Sequence, residues 1–283
     1  MKRPLRFLLS LLLTIGLLAA LPLFASAAEQ AIFIPKTMTL DENRYYSYEY
    51  DRPTKRLSIV PHGDLYWYNY RYPFLTSTDA NRQNIMILHS LNDALVFPLT
   101  DLVRTKELER ITTPEGTYTF ERNKSGAVTK AILTYQGDTR AFTYTYDRAG
   151  RLTKMVEHLS DYDRTYVFSY NLLGRLSSVL LSDLDGEVTT QIKTDSDGRM
   201  IWSRTRDTGA GETNIQEYTY NGDGRLLTVS YHESGITNDL GHRSQANSAF
   251  DTRGNLVSLS FKEITTAGRI DAEWTMLLTY QQI

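Results

Sequence analysis

No cysteine occurs in this chain of 283 residues, and no excess of either charge, since 33 acidic residues almost balance 31 basic ones. The absence of cysteine excludes disulfide bonds, thiolate metal sites and a cysteine nucleophile. Without a basic excess, the chain is not a protein that binds nucleic acid mainly through its charge. Proline and glycine are modest, at 8 and 17 residues, whereas tyrosine is abundant at 19. The 41% of apolar residues is typical of a folded globular protein.

The motifs of common catalytic sites are also missing. The sequence has no G-x-S-x-G, H-E-x-x-H or G-x-x-x-x-G-K-[ST] motif, and no G-x-G-x-x-G that would open a helix. The five histidines are scattered, and residues 183–187 and 195–198 resemble calcium loops without their full ligand pattern. We therefore predict no enzyme, no cofactor and no metal ion. Carboxylates that converge from separate strands would leave no local signature, which keeps a hydrolase open.

The first 28 residues have the three parts of a secretory signal peptide. A basic start precedes an apolar run over residues 7–24, and small residues follow at 25–28. An uncleaved anchor is the alternative, because 18 apolar residues can just span a bilayer. Pro22 and the small residues favour cleavage after Ala27 or Ala28. We predict a secreted or periplasmic protein with no membrane span after cleavage.

A repeat with a period of about 24 residues organises the chain over residues 113–283. Six glycines recur at spacings of 24, 24, 24, 26 and 30 residues, and each has Asn or Asp three residues before it. The last five are followed by Arg or Asn and then by Leu or Met. The pairs are Asn123 and Gly126, Asp147 and Gly150, Asn171 and Gly174, Asp195 and Gly198, Asn221 and Gly224, and Asp251 and Gly254.

Each of these pairs predicts the turn of a β-hairpin. An Asn or Asp side chain accepts a hydrogen bond from the backbone two residues on, and glycine supplies the left-handed conformation that closes the turn. Aromatic residues alternate before the turns, as Phe142, Tyr144 and Tyr146 do, which places them on one face of a strand. The twelve turn residues are therefore predicted to be structural.

Three segments resemble the repeat of the YD-repeat, or RHS-repeat, family. They are YTYDRAGRL at residues 144–152, FSYNLLGRL at 168–176 and YTYNGDGRL at 218–226, and the match covers about half the chain. In that family, such repeats build long antiparallel sheets that curl into shells or spirals, which enclose toxin domains or form large surface proteins. This chain has no Asp-Pro dipeptide for self-cleavage, and only residues 256–283 follow the last repeat. We therefore expect a short member without a toxin domain.

The expected fold is all-β, an antiparallel meander of repeated hairpins in an open curved or spiral sheet. The roughly 255 residues left after cleavage are expected to be too few to close a shell like those of the large members of the family. Residues 29–112 are predicted to be a β-rich region with a degenerate repeat near Tyr50 and Asp51. Within it, residues 84–108 fit either strands or a helix.

The best candidate for a binding surface lies at residues 64–72. Tyr66, Tyr68, Tyr70 and Tyr72 alternate strictly and would share one strand face, with Trp67 on the other. Exposed rings would stack on a sugar or a partner chain. Rings packed across neighbouring strands would instead form an internal ladder, and this is the favoured interpretation because tyrosine recurs before the repeat turns.

The sequence thus predicts a non-catalytic structural or interaction module of the cell envelope or exterior, with an unidentified protein or glycan as its partner. A carbohydrate-binding surface protein is the alternative, and a hydrolase without a recognisable motif is the third possibility.

The signal peptide gives a direct prediction. N-terminal sequencing of exported protein should give a first residue of Ala28 or Glu29, because signal peptidases cut after small residues. Exported protein that begins at Met1 would contradict cleavage.

Overall fold

The computed structural model describes residues 32–65, 70–75, 77–88, 92–207, 212–234, 243–264 and 270–283. The predicted signal peptide therefore lies outside the described residues. The main unit is Ile34–Gln281, and the described residues of a small second unit are 32–33 and 282–283. In the small unit, the Ile283 backbone N–H donates to the Ile32 carbonyl at 2.9 Å.

Strands make up most of the described chain. In chain order they are β1 Phe33–Thr39, β2 Tyr45–Asp51, β3 Arg56–His62, β4 Arg110–Thr113, β5 Gly116–Arg122, β6 Val128–Tyr135, β7 Asp138–Tyr146, β8 Leu152–His158, β9 Asp163–Tyr170, β10 Leu176–Asp183, β11 Gly186–Thr194, β12 Met200–Asp207, β13 Glu212–Tyr220, β14 Leu226–Ser234, β15 Arg243–Phe250, β16 Leu256–Ile264 and β17 Ile270–Gln282. The helices are α1 Ala80–Leu88, α2 Asp93–Val96 and α3 Asp101–Arg104, with 3-10 helices at Tyr72–Phe74 and Phe97–Leu99. Among the described residues, no helix is long and apolar enough to cross a bilayer.

The seventeen described strands form one sheet that closes on itself. Each strand pairs with the next along the chain, and β1 pairs with both β2 and β17. At the seam between β1 and β17, the hydroxyl oxygens of Thr37 and Thr279 lie 2.6 Å apart. The expected antiparallel meander is therefore present, but the sheet is closed and not open. Closure depends on pairing between the two ends of the sheet, which no local pattern in the sequence encodes.

One neighbouring pair of strands is parallel. Arg56, Leu57 and Ser58 of β3 pair in the same direction with residues 110–112 of β4. Strands around a closed ring can all alternate in direction only if their number is even, so a ring of seventeen needs a parallel pair. A parallel pair requires a crossover connection and not a tight turn. This connection is residues 63–109, which we term the insert.

The insert runs through the interior of the closed sheet. It leaves β3 at one end of the sheet and rejoins β4 at the other, where the Glu109 N–H donates to the Lys55 carbonyl at 2.9 Å. Inward-facing strand residues contact it along the way: the Tyr144 hydroxyl donates to the Ala94 carbonyl at 2.5 Å, and the ring of Phe97 meets that of Tyr118 at 5.8 Å. The described part of residues 84–108 is thus mainly helical and contains no strand, and residues 93–99 are buried.

The two faces of the sheet differ sharply in polarity. Inward residues such as Phe142, Met155 and Phe168 are at most 3% exposed. On β7, β9 and β11 the outward positions carry mainly hydroxyl and charged side chains, with Ala141 and Val167 as apolar exceptions, whereas Ile201, Leu227 and Leu277 on β12, β14 and β17 are exposed apolar residues. On β7, β9 and β11 the polar ones are Thr139, Thr143, Thr145, Asp163, Thr165, Ser169, Glu187, Thr189, Gln191 and Lys193.

The six repeat turns lie at one end of the sheet, which we term the turn end. All six glycines have positive φ, between 73° and 91°, which is the left-handed region where glycine is favoured. In the turn that begins at Asp147, the carboxylate accepts hydrogen bonds from the backbone N–H groups of Ala149 and Arg151, both at 2.9 Å. The Gly150 N–H donates to the Asp147 carbonyl at 3.0 Å.

Neighbouring turns are joined by the arginine and the aromatic residue of the repeat. Arg151 follows one turn glycine, and its guanidinium carbon lies 4.7 Å from the ring centre of Tyr170, which precedes the next turn. The Tyr170 hydroxyl donates back to the Leu152 carbonyl at 2.6 Å. Equivalent contacts join Arg199 to Tyr220 at 5.2 Å and Arg225 to Phe250 at 5.7 Å.

Helix α1 binds the repeats through two asparagines one helical turn apart. Each side chain donates to the carbonyl of a turn glycine and accepts from the backbone N–H two residues later. The contacts are Asn81 with Gly174 at 2.9 Å and Leu176 at 2.8 Å, and Asn84 with Gly198 at 2.8 Å and Met200 at 2.9 Å.

The turn glycines allow a matched test of backbone strain. Gly174→Ala and Gly150→Ala should each lower the free energy of unfolding by about 1 kcal/mol, because both place a β-carbon in the left-handed region. Gly174→Ala should cost more, since its β-carbon would lie 2.7 Å from Arg151 Nη1, whereas nothing lies within 4 Å at Gly150. Urea unfolding measures both, and unchanged stability in Gly174→Ala would contradict the turn geometry.

The asparagines of α1 give a second pair. Asn84 is 1% exposed, so Asn84→Ala should lower the free energy of unfolding by about 2–3 kcal/mol, because it leaves a buried carbonyl and a buried N–H without partners. Asn81→Ala should cost about 1 kcal/mol, because Asn81 is only partly buried and water can replace its hydrogen bonds. Equal losses in thermal or urea unfolding would contradict this account.

Candidate functional site

The described residues of the aromatic segment, 64–65 and 70–72, are not in the strand that its alternation predicts. Tyr70 lies in a turn of the insert and Tyr72 begins a 3-10 helix, whereas Tyr66, Trp67 and Tyr68 lie outside the described residues. Tyr70 is 4% exposed. Tyr70, whose side chain is the one of the four that the structure describes, therefore does not lie on an exposed face.

Polar contacts hold Tyr70 inside the insert. Its hydroxyl donates to an Asp93 carboxylate oxygen at 2.8 Å, and its carbonyl accepts from the Tyr48 hydroxyl at 2.8 Å. Arg71, which is 6% exposed, forms a buried ion pair with Asp93. Burial raises the pKa of Tyr70 to about 12. The phenol thus serves as a hydrogen-bond donor in the protein interior.

A cavity of about 330 Å³ lies between the insert and strands β13–β16. The insert packs against the other side of the interior, through contacts with β2, β5, β7 and β12. The insert leaves the inner faces of β13–β16 only partly covered. The strand residues around the cavity are Gln216, Tyr218, Leu226, Val229, Tyr231, Ala246, Ser248, Phe250, Leu256, Leu259 and Phe261.

The insert contributes Leu75, Gln83 and Ile87 to the cavity. Its wall is mainly apolar, because it is the inward face of a sheet whose alternation places Val229, Leu259 and similar residues inside. A concave apolar space with few polar groups is the usual form of a small-molecule site. This cavity is the candidate functional site.

A small polar group is built into the cavity wall. The Tyr218 hydroxyl donates to Gln216 Oε1 at 2.5 Å and lies 3.1 Å from the Ser203 hydroxyl. Burial raises the pKa of Tyr218 above its ordinary value of 10.0, and the Ser203 hydrogen bond opposes this shift. The phenol is therefore neutral at physiological pH.

A polar cleft of about 470 Å³ adjoins α1 at the turn end. The insert provides Ser77, Thr78, Ala80, Gln83 and Asp101, and the turns provide Asp197, Arg199, Asp223, Gly224, Arg225 and Gly254. Gln83 lines both the cleft and the apolar cavity.

Buried carboxylates elsewhere in the interior are held by arginines. Glu157 is 3% exposed and accepts from Arg140 at 3.1 Å and from Arg164 at 3.3 Å. Arg164 also contacts Asp183 at 3.3 Å. Within the described part of the chain, no group of three or more His, Asp and Glu side chains could hold a metal ion.

The cavity was not foreseen from the sequence. Its residues come from four strands and a helix, and each one fits the ordinary pattern of an inward-facing strand position. No local signal marks it, because Asn221, which leaves Arg225 without an acidic residue at the start of its own turn, has a counterpart in Asn171 before Arg175.

Comparison with known proteins does not identify a family. No family model matches the chain, and no curated protein matches its sequence. Similar solved structures include a porin-like protein from Bacteroides uniformis, at 14% identity and a TM-score of 0.28, with 54% of this chain and 96% of that chain covered. A porin-like protein from Bacteroides vulgatus has 12% identity and a TM-score of 0.33, with 58% and 92% covered. Likeness at such TM-scores establishes neither a shared fold nor a shared function.

The buried tyrosines predict instability at alkaline pH. Burial raises the pKa of Tyr144, Tyr146 and Tyr218 above the value of 10.0 for an exposed phenol. Above about pH 10, the unfolded chain therefore loses phenolic protons that the folded chain retains, so the free energy of unfolding falls as pH rises. Tyrosinate absorbance should appear together with loss of the circular dichroism of the strands. Full ionisation of the tyrosines with an intact sheet would contradict the burial of these rings.

Proposed function

We propose that this chain is a non-catalytic interaction module, exported to the cell envelope or exterior, whose shell is built from YD-type repeats. The observation that carries the proposal is a closed repeat sheet that encloses its own insert. Its inner face is mainly apolar, and the outward faces of β7, β9 and β11 are mainly polar.

The polarity of the outward face supports a module that faces water. Strands that face lipid carry an apolar band on their outer surface. Here the outward positions of β7, β9 and β11 are mainly threonine, serine and charged residues. The outward faces of these three strands need no membrane to cover them.

The contacts between turns support the assignment to YD-type repeats. The arginine, the aromatic residue and the glycine of the motif meet one another across neighbouring turns, as Arg151, Tyr170 and Gly174 do. The motif thus has a structural purpose in holding successive hairpins in register. No catalytic purpose is needed to explain its residues.

The interior polar groups also favour binding over catalysis. A general acid or nucleophilic carboxylate has to reach a substrate. Asp93 and Glu157 are instead buried. Asp93 forms an ion pair with Arg71, and Glu157 forms ion pairs with Arg140 and Arg164.

Cell fractionation tests the proposal. The full chain with a C-terminal tag should be recovered from the periplasm or the culture medium of a bacterial host without detergent. A variant that lacks residues 1–28 should remain in the cytoplasm, which makes it the matched control. Retention of the full chain in alkali-washed membranes, or in the cytoplasm, would contradict the proposal.

A further inference from the structure

The apolar cavity and the polar cleft are adjacent spaces that share parts of their walls. Gln83 of α1 lines both. Phe250 lines the cavity, and the guanidinium of Arg225, which lines the cleft, lies 5.7 Å from the centre of the Phe250 ring. An elongated molecule at this position would meet an apolar space at one end and a charged space at the other.

Gln83 is a polar side chain at the junction of the cavity and the cleft. It is 7% exposed, and its carboxamide has no hydrogen bond to any residue that the structure describes. Its position where cavity and cleft meet suits a ligand that carries a hydrogen-bonding group at that depth.

Arg225 differs from the other arginines at the same position of the repeat. Arg175, whose turn also begins with Asn, donates to the backbone carbonyls of Asp195 and Ser196. Arg151 and Arg199 form ion pairs with Asp147 and Asp195, which begin their own turns. The turn of Arg225 begins with Asn221, and among the described residues Arg225 has no ion pair. Its guanidinium is packed between the Phe250 ring and the backbone of Gly254, which fixes its position beside the cleft.

We propose that the cavity binds the apolar chain of a small amphiphile and that Arg225 binds the carboxylate of that amphiphile in the cleft. This inference rests on the proposed interaction function and names the chemistry of the ligand. Gln83 hydrogen-bonds the ligand near the junction of its two parts. Planar guanidinium and carboxylate groups match in geometry, and such charge-assisted hydrogen bonds are among the strongest in proteins.

The dimensions of the cavity agree with a ligand of this kind. Its volume of about 330 Å³ is more than that of an apolar cavity of about 150 Å³ that binds benzene. Along β14, its wall extends from Leu226 to Tyr231, which is roughly 17 Å at the rise of an antiparallel strand. A single extended alkyl chain fits this length.

Calorimetric titration of purified exported protein with decanoate, below its micellar concentration, tests the inference. Decan-1-ol is the matched neutral ligand. We expect one decanoate per chain and weaker binding of decan-1-ol. Arg225→Gln should weaken decanoate binding by about tenfold or more and leave decan-1-ol unchanged, because only the carboxylate loses its partner. Arg148→Gln removes a charge from another turn, outside the cleft, and should leave both affinities unchanged.

A second variant tests the location of the alkyl chain. Ala246 lines the cavity, so Ala246→Phe should fill it and weaken both ligands by at least about tenfold, while the thermal midpoint stays at or above that of the parent protein. Absence of decanoate binding to the parent protein, or unchanged binding to Ala246→Phe, would overturn the inference. Equal weakening of both ligands by Arg225→Gln would overturn the role of the carboxylate. An exported protein that fails to bind decanoate would leave the proposed function intact, because fractionation decides export separately.

Discussion

The parallel pairing of β3 with β4 is the constraint on which the rest of the structure depends. A closed ring with an odd number of strands cannot be antiparallel throughout, and here the exception is at this pair. The connection between parallel strands has to travel the length of the sheet. Because this connection runs inside the sheet, the insert forms much of the core. The insert packs mainly against β2–β12, so the inner faces of β13–β16 line a cavity. Topology, core and candidate site therefore share one origin.

The repeat motif is explained by contacts between hairpins more than by those within one. Glycine alone would satisfy each turn, but the arginine after it and the aromatic residue before the next turn hold consecutive turns together, as Arg199 and Tyr220 do. α1 extends this order by binding successive turns with Asn81 and Asn84. The interior segment is thus matched to the spacing of the repeats.

Much of the hairpin architecture could be predicted from the sequence, because it depends on local chemistry. Asn or Asp three residues before a glycine specifies a turn, and alternating aromatic residues such as Phe142 and Tyr144 specify the inward face. Closure and the insert could not be predicted, because they depend on pairing between distant segments. The alternation at residues 66–72 does not by itself specify a strand, since Tyr70 is buried in a turn of the insert. The cavity was missed because Val229 and Leu259 are ordinary core residues individually, and only their assembly with Gln83 forms a site.

Passage of the insert from one end of the ring to the other constrains the order of folding. A closed sheet offers no route for a chain segment that is attached at both ends, so residues 63–109 have to be in place before β17 joins β1. That final seam brings together Thr37 and Thr279, which are 242 residues apart in the chain. Contacts at such separation form slowly, because the chain entropy lost in closing the loop precedes the gain from pairing. Until that seam forms, β1 and β17 present unpaired backbone edges. Their pairing with each other protects the folded protein from pairing with the strands of other chains.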